Sequence, residues 1–223
     1  MKIIYNFTTS NDGNLAFHVG DNEKNVIRNR QNLALKMGYD YNDLIYMNQT
    51  HGNNIQIVDD NSPKLIENCD AIITKSKNLP LMVMVADCIP ILMFDEKKGV
   101  IAAIHAGRNS TFLKIAQIVA QKMIDEFDCK VIDIKVVLGA SIQKCCYEVS
   151  SELALIVENS FGKEFINGRN IDLQGINKKL LLEIGIKNIE ISSICTKCSN
   201  KPYFSYRKDK NTGRFAGVIF IDS

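Results

Sequence analysis

The chain alternates short, almost continuous apolar runs with longer stretches in which apolar residues recur every three or four positions. The runs at 71–74, 81–86, 91–94 and 100–106 contain almost no polar residue, which is the pattern of strands buried on both faces. Further strand-like segments fall at 3–7, 43–47, 54–58, 132–138, 189–194 and 216–221. Helical spacing marks 23–37, 111–127, 150–161 and 173–184. The second is the clearest: Phe112, Ile115, Ile118, Val119, Met123 and Phe127 share a face behind Asn109-Ser110-Thr111, which reads as a cap cluster. No repeat, low-complexity tract or Gly/Ser/Pro-rich linker interrupts the pattern. It predicts an α/β fold with hairpins, in one domain over residues 1–223.

Composition narrows this picture without naming a partner. A chain of 223 residues supports one substantial core more readily than two. With 27 basic and 25 acidic residues the net charge is +2, which provides no electrostatic footprint for nucleic acid or a membrane surface. No apolar run approaches the roughly 20 residues that span a bilayer. The strand-like start at 1–6 lacks the charged lead, apolar block and small-residue site of a secretory signal. Seven cysteines are an odd number, and without an export signal they read as thiols, metal ligands or core residues rather than a disulfide framework. The expected compartment is the cytoplasm.

The chemistry concentrates around 81–111. Asp95-Glu96-Lys97-Lys98 reads as the turn of a β-hairpin between two apolar runs. If Phe94 and Gly99 flank that four-residue loop, Cys88 lies opposite His105. Directly opposed residues share one face with Cβ atoms roughly 4.5 to 5.5 Å apart, close enough for a thiolate and an imidazole to share a metal ion. A one-residue slip would send one side chain to the other face, and Pro90 weakens the ladder there. After His105, the stretch Ala106-Gly107-Arg108-Asn109-Ser110-Thr111 leads into the helix. A glycine turn, free N–H groups and an arginine make a plausible phosphate site. Taken singly, Cys88 is better explained by core packing and His105 by an interior hydrogen bond.

These residues belong to a larger set of motifs. In order they are His18-Val19-Gly20-Asp21 with Asn29-Arg30, Asn48-Gln49-Thr50-His51-Gly52, Cys69-Asp70-Ala71, Ala86-Asp87-Cys88-Ile89-Pro90 and His105-Ala106-Gly107. Then follow Gly139 through Cys145-Cys146-Tyr147-Glu148-Val149, Cys195-Thr196, Phe204-Ser205-Tyr206-Arg207 and Thr212-Gly213-Arg214. Together they resemble the purine nucleoside phosphorylase family formerly described as multicopper polyphenol oxidases, or laccase-domain proteins, over nearly the whole chain. The resemblance implies a layered α/β/β/α sandwich with mixed sheets, similar to the cytotoxic necrotizing factor-like fold. It also implies zinc held by His51, Cys88 and His105, and His51 enters the ligand set only through it. Two nitrogens and a thiolate would leave a fourth tetrahedral position open, as in a catalytic site.

The implied substrates are purine nucleosides and phosphate. The implied reactions are phosphorolysis of adenosine, guanosine, inosine and S-methyl-5'-thioadenosine, with deamination of adenosine. Asp87 and Glu148 are the candidate proton-shuttling carboxylates, with Cys88 in the catalytic set, and Arg30, Gln49, Arg108, Ser110 and Arg207 are candidates for substrate or phosphate. Two stretches depart from the family pattern. Arg108-Asn109-Ser110 stands where a tryptophan, a basic residue and a glycine are usual, and Thr8-Thr9-Ser10-Asn11-Asp12-Gly13 is shortened and lacks an arginine.

Other readings come from the same residues. A metal-free Cys-His hydrolase would use Cys88 as a nucleophile activated by His105, as in protein glutamine deamidases. A copper-dependent polyphenol oxidase follows from the older family description, but one mixed His/Cys site falls short of several coppers. A binding protein without turnover is the non-enzymatic reading. Cys195-x-x-Cys198 could be half of a structural zinc site, with Cys145-Cys146 supplying further thiolates. The absence of a second Cys-x-x-Cys favours core or exposed thiols instead. The aromatic run at 203–206 suits a nucleoside pocket better than nucleic-acid stacking.

Overall fold

A computed structural model describes residues 2–222; Met1, which opens the strand-like start, and Ser223 lie outside them. The elements run β1 (Lys2–Phe7), α1 (Glu23–Met37), β2 (Ile45–Met47), β3 (Ile55–Ile57), β4 (Leu65–Ile66), β5 (Ala71–Thr74), β6 (Leu81–Val85), β7 (Ile89–Asp95) and β8 (Val100–Ala106). They continue with α2 (Arg108–Phe112), α3 (Ile115–Phe127), β9 (Ile134–Leu138), α4 (Ser151–Ser160), β10 (Ile166–Asn167), β11 (Asn170–Ile171), α5 (Leu173–Glu183), β12 (Asn188–Ile191) and β13 (Phe215–Asp222).

Two mixed sheets, ordered β1-β13-β6-β2-β4 and β12-β9-β7-β8-β5-β3, stack between helices. The continuous apolar runs follow from this layering, because successive side chains on a strand point to opposite faces. On β6, Leu81, Val83 and Val85 face the other sheet, while Met82 and Met84 pack with Leu33 and Ala34 of α1. On β7, Leu92 and Phe94 join the core between the sheets, while Ile91 and Met93 pack toward Val119 and Met123 of α3 and Leu180 of α5. Both sides of each central strand are therefore dry.

The hairpin forms with its register displaced by two residues. Asp95 ends β7 opposite Val100, and His105 lies opposite Pro90 rather than Cys88. Asp95 belongs to the strand because its carboxylate accepts the Lys97 and Lys98 N–H groups at 2.8 and 3.1 Å, and Gly99 closes the turn at φ 63°. An even displacement preserves the face, so Cys88 and His105 still converge.

The helix expected at 111–127 is broken. Arg108–Phe112 and Ile115–Phe127 are separate, with Lys114 left-handed at φ 60° between them. The anticipated cap residues do not cap. Gly107 holds the N-cap position of α2 without a side-chain bond, and Asn109 Nδ2 donates instead to the His51 carbonyl at 2.7 Å. Thr111 Oγ1 accepts from Asn177 at 2.9 Å. These polar groups anchor the turn to its neighbours. The two-residue strands β4, β10 and β11 carry too few apolar positions to register in the pattern. Strand limits elsewhere differ by up to three residues, as at β12, which stops at Ile191 rather than 194.

Candidate metal centre and pocket

Two loops and the end of β8 meet at one point. The chain passes from one sheet to the other through Ala86-Asp87-Cys88, between β6 and β7. Asp87 turns it there at φ 85°, a left-handed conformation costly for a residue with a Cβ. Three bonds hold that turn: Asp87 Oδ1 accepts from Thr196 Oγ1 at 2.6 Å, Oδ2 from the Arg207 N–H at 2.7 Å, and the Asp87 carbonyl from the Ile142 N–H at 2.9 Å. The result presents Cys88 beside His51 and His105.

Antiparallel pairing of Ala71 with Ile104 sets Asp70 against His105 at the adjoining strand ends. Asp70 is fully buried, and its Oδ1 accepts from His105 Nδ1 at 2.8 Å. The same carboxylate accepts N–H groups of Thr50, His51 and Gly52 at 3.3, 2.9 and 2.8 Å and the Thr50 hydroxyl at 3.1 Å. Burial alone would raise its pKa, but His105 and these donors hold it at about 2. One anion therefore shapes the loop carrying His51 and orients the His105 ring, leaving His105 Nε2 directed away from Asp70.

The His51 and His105 rings meet edge to face with centroids 4.7 Å apart. Cys88 Sγ lies 3.8 Å from His51 Nε2, and one donor atom from each of the three residues falls within 4.8 Å of the others. Burial pushes the Cys88 thiol up, yet the two imidazoles bring it down to about 6. Burial pushes His105 down, yet Cys88 and Asp70 raise it to about 9. The space is tight: a Cβ on Gly107 would stand 2.9 Å from His51 Cδ2 and 3.1 Å from Cys88 Sγ. A thiolate and two imidazoles converging on one point fit zinc by donor chemistry.

These residues floor a cavity of about 620 Å³, within the range of small-ligand sites. Tyr147 and Tyr206 line it beside Arg207 and Arg214. Arg207 lies 5.0 Å from the Tyr147 ring centroid and Arg214 lies 6.0 Å from that of Tyr206. His18 and Met84 also line the cavity.

The other predicted site residues are dispersed. Gln49 lines the cavity, but its amide is engaged with Met84, donating to the carbonyl at 2.7 Å and accepting the N–H at 2.9 Å. Arg108 is exposed at the start of α2 and does not line the cavity. Ser110 is buried, with its hydroxyl unpartnered among the described residues. Glu148 pairs with Arg169 at the surface and does not line the cavity. Arg30 is buried elsewhere, its guanidinium between the rings of Phe17 and Tyr46 and its Nε donating to the Leu15 carbonyl at 2.8 Å. Sequence reasoning missed Asp70, Tyr147 and Arg214 as site residues, although all three lie within the recognised motifs, whereas the aromatic run at 203–206, read as part of a nucleoside pocket, brings Tyr206 to the cavity.

Comparison with known proteins agrees with this architecture. Residues 6–222 match the family model described as multi-copper polyphenol oxidoreductase laccase. A purine nucleoside phosphorylase of Corynebacterium glutamicum is 34% identical over 93% of this chain and 86% of its own length. An adenosine deaminase from an unknown prokaryotic organism is 32% identical over 92% of this chain and 86% of its own length. The crystal structure of the hypothetical protein YfiH of Bacillus licheniformis superposes with a TM-score of 0.92 at 29% identity, covering 99% of this chain and 93% of that one.

Proposed function

The chain belongs to the family described as multi-copper polyphenol oxidoreductase laccase, and from that premise we propose that it is a zinc-dependent purine nucleoside phosphorylase with adenosine deaminase activity. The observation that carries this reading is the convergence of His51, Cys88 and His105 under a cavity walled by tyrosines and arginines. Relatives named purine nucleoside phosphorylase and adenosine deaminase support the substrate class. Zinc, when bound, would be held by His51, Cys88 and His105 and would supply Lewis-acid chemistry at the cavity floor.

In phosphorolysis of adenosine, guanosine, inosine or S-methyl-5'-thioadenosine, a phosphate oxygen bonds to the ribose carbon as the carbon–purine bond breaks. The purine accepts a proton and leaves, and ribose-1-phosphate or its methylthio analogue remains. Arg207 and Arg214 are suited to hold the phosphate, and Tyr147 and Tyr206 offer ring faces to the base. Asp87 is the better placed of the two carboxylates to move a proton, because it lines the cavity and Glu148 does not. Each Asp87 oxygen accepts one hydrogen bond and retains further acceptor capacity. Gln49 acts by fixing the Met84 backbone at the cavity edge.

The three donors also fit a single copper ion. The several copper centres of the family description do not fit: the chain has three histidines, and among the described residues only His51 and His105 join a metal-ligand group. A second reading has an observation of its own. Without metal, Cys88, His105 and Asp70 form a thiolate, imidazolium and carboxylate series, the arrangement of a Cys-His hydrolase. That reading alone would draw on the likeness to the cytotoxic necrotizing factor-like fold.

The test is metal analysis of purified protein, with adenosine and phosphate turnover followed by chromatography of adenine, inosine and ribose-1-phosphate. Cys88→Ala is run alongside. Zinc retention with Cys88-dependent release of adenine or inosine is expected. Zinc-free protein, or zinc-replete protein without turnover of any of the four nucleosides, sinks the proposal.

A further inference from the structure

A second group of soft ligands lies outside the catalytic cavity. Cys145, Cys146, Cys195 and Cys198 bring their four sulfurs within 4.8 Å of one another. Cys145 and Cys198 are the pair 3.6 Å apart. Sulfurs around a tetrahedral zinc, at about 2.3 Å from the metal, stand about 3.8 Å from each other. A disulfide would require about 2.05 Å, and all seven cysteines are free thiols. The missing second Cys-x-x-Cys is replaced, in space, by the adjacent pair Cys145-Cys146.

The backbone prepares this arrangement from two sides. Ser141 bridges Cys195, with the Thr196 N–H donating to the Ser141 carbonyl at 3.0 Å, so the two cysteine-bearing loops start side by side. Cys145 and Cys146 lie in a turn closed by the Cys146 N–H on the Gln143 carbonyl at 2.9 Å. Cys195 and Cys198 lie in another, closed by the Ser199 N–H on the Cys195 carbonyl at 3.1 Å. Lys144 and Lys201 line the cavity beside the cluster, where their charge suits four thiolates around one divalent ion.

We propose that Cys145, Cys146, Cys195 and Cys198 form a closed tetrathiolate zinc site that joins the loop at 141–149 to the loop at 192–207. Four protein ligands leave no position for substrate, so the role is structural. Its consequence reaches the catalytic cavity through sequence neighbours. Tyr147, which follows Cys146, lines that cavity. Thr196, which follows Cys195, holds Asp87. Arg207 further along the second loop donates through Nη1 to the Glu148 carbonyl at 2.9 Å, joining the two loops again at the cavity wall.

The experiment is zinc stoichiometry of the full chain, purified under reducing conditions without chelator, for the wild type, Cys88→Ser, Cys145→Ser, Cys198→Ser and the Cys88→Ser/Cys198→Ser pair. The expected contents are two zinc ions per chain in the wild type, one in each single variant and none in the double. Unchanged zinc in Cys145→Ser and Cys198→Ser overturns the proposal. So does a Cys145–Cys198 disulfide in the wild type by mass spectrometry. If the variants do not fold, the wild type decides: the cluster thiols resist alkylation until a chelator releases a second zinc, and immediate alkylation of all four in untreated protein refutes the site. The catalytic reading fails separately, through Cys88→Ser retaining the wild-type zinc content.

Discussion

Asp70 and His105 form a buried hydrogen bond, Oδ1 to Nδ1 at 2.8 Å, and the same carboxylate gathers the backbone of Thr50, His51 and Gly52. An amide in its place keeps the size but loses the charge and half of the acceptor capacity. Asp70→Asn is expected to weaken metal affinity about 10- to 100-fold, the usual cost of losing the group that orients a ligating histidine. Losing charge-assisted bonds should also lower stability by about 2 kcal/mol. Chelator competition and thermal melts measure the two effects; metal affinity equal to wild type would remove Asp70 from the site.

Cys88 provides a pH test of the metal-free state. Its thiol is held at about 6 by the two imidazoles, against an ordinary value of 9.0, so deprotonation rises as pH increases through about 6. Alkylation of Cys88 in metal-stripped protein should follow that rise and be near its plateau by neutral pH, whereas an unassisted thiol would still be climbing. Readded zinc should suppress the reaction across the range. A midpoint near the ordinary thiol value would mean that His51 and His105 do not stabilise the thiolate.

Gly107 tests how closely the ligands are packed. Its φ of −75° suits any residue, so the demand is spatial rather than conformational. Alanine would place a methyl 2.9 Å from His51 Cδ2 and 3.1 Å from Cys88 Sγ. Gly107→Ala should lower metal occupancy and cost about 1–3 kcal/mol as the two ligands move apart. Metal analysis and melts of loaded and stripped protein separate these terms, and undiminished zinc content would show that the ligands can yield without loss.

What could be read from the chain depended on how locally each feature is encoded. The continuous apolar runs of β6 and β7 are local, so both strands are legible, and the dry faces follow from their lack of polar residues. The hairpin register was less so, because Asp95 reads as a turn residue until its carboxylate is seen capping Lys97 and Lys98. The break at Lys114 had no signal, since lysine ordinarily continues a helix. His51 reaches Cys88 through a loop shaped by a carboxylate 19 residues later, which periodicity does not reveal; only the motif set indicated it. The cysteine cluster was divided between segments 53 residues apart and its spacing matched no paired pattern.

The choice of carboxylate gives the sharpest mutational contrast. Asp87 lines the cavity, with its oxygens held by Thr196 and Arg207, whereas Glu148 faces Arg169 at the surface. Proton transfer by a positioned side chain contributes about 10²- to 10⁴-fold, so Asp87→Asn should lower kcat by at least about 10² while zinc content stays at the wild-type level. Glu148→Gln removes an exposed pair worth no more than about 1 kcal/mol, and turnover should remain within about fivefold. Steady-state kinetics on adenosine with and without phosphate read both variants in both reactions. If Glu148→Gln abolishes turnover and Asp87→Asn does not, the roles are reversed, and Arg169 must release Glu148 toward the cavity when substrate binds. Thr196→Val then separates chemistry from positioning: loss of its hydroxyl removes one of the bonds on Asp87 without changing the carboxylate. In Thr196→Val, with zinc retained, kcat is expected to fall less than in Asp87→Asn, and an equal fall would make Asp87 a positioning residue rather than the proton carrier.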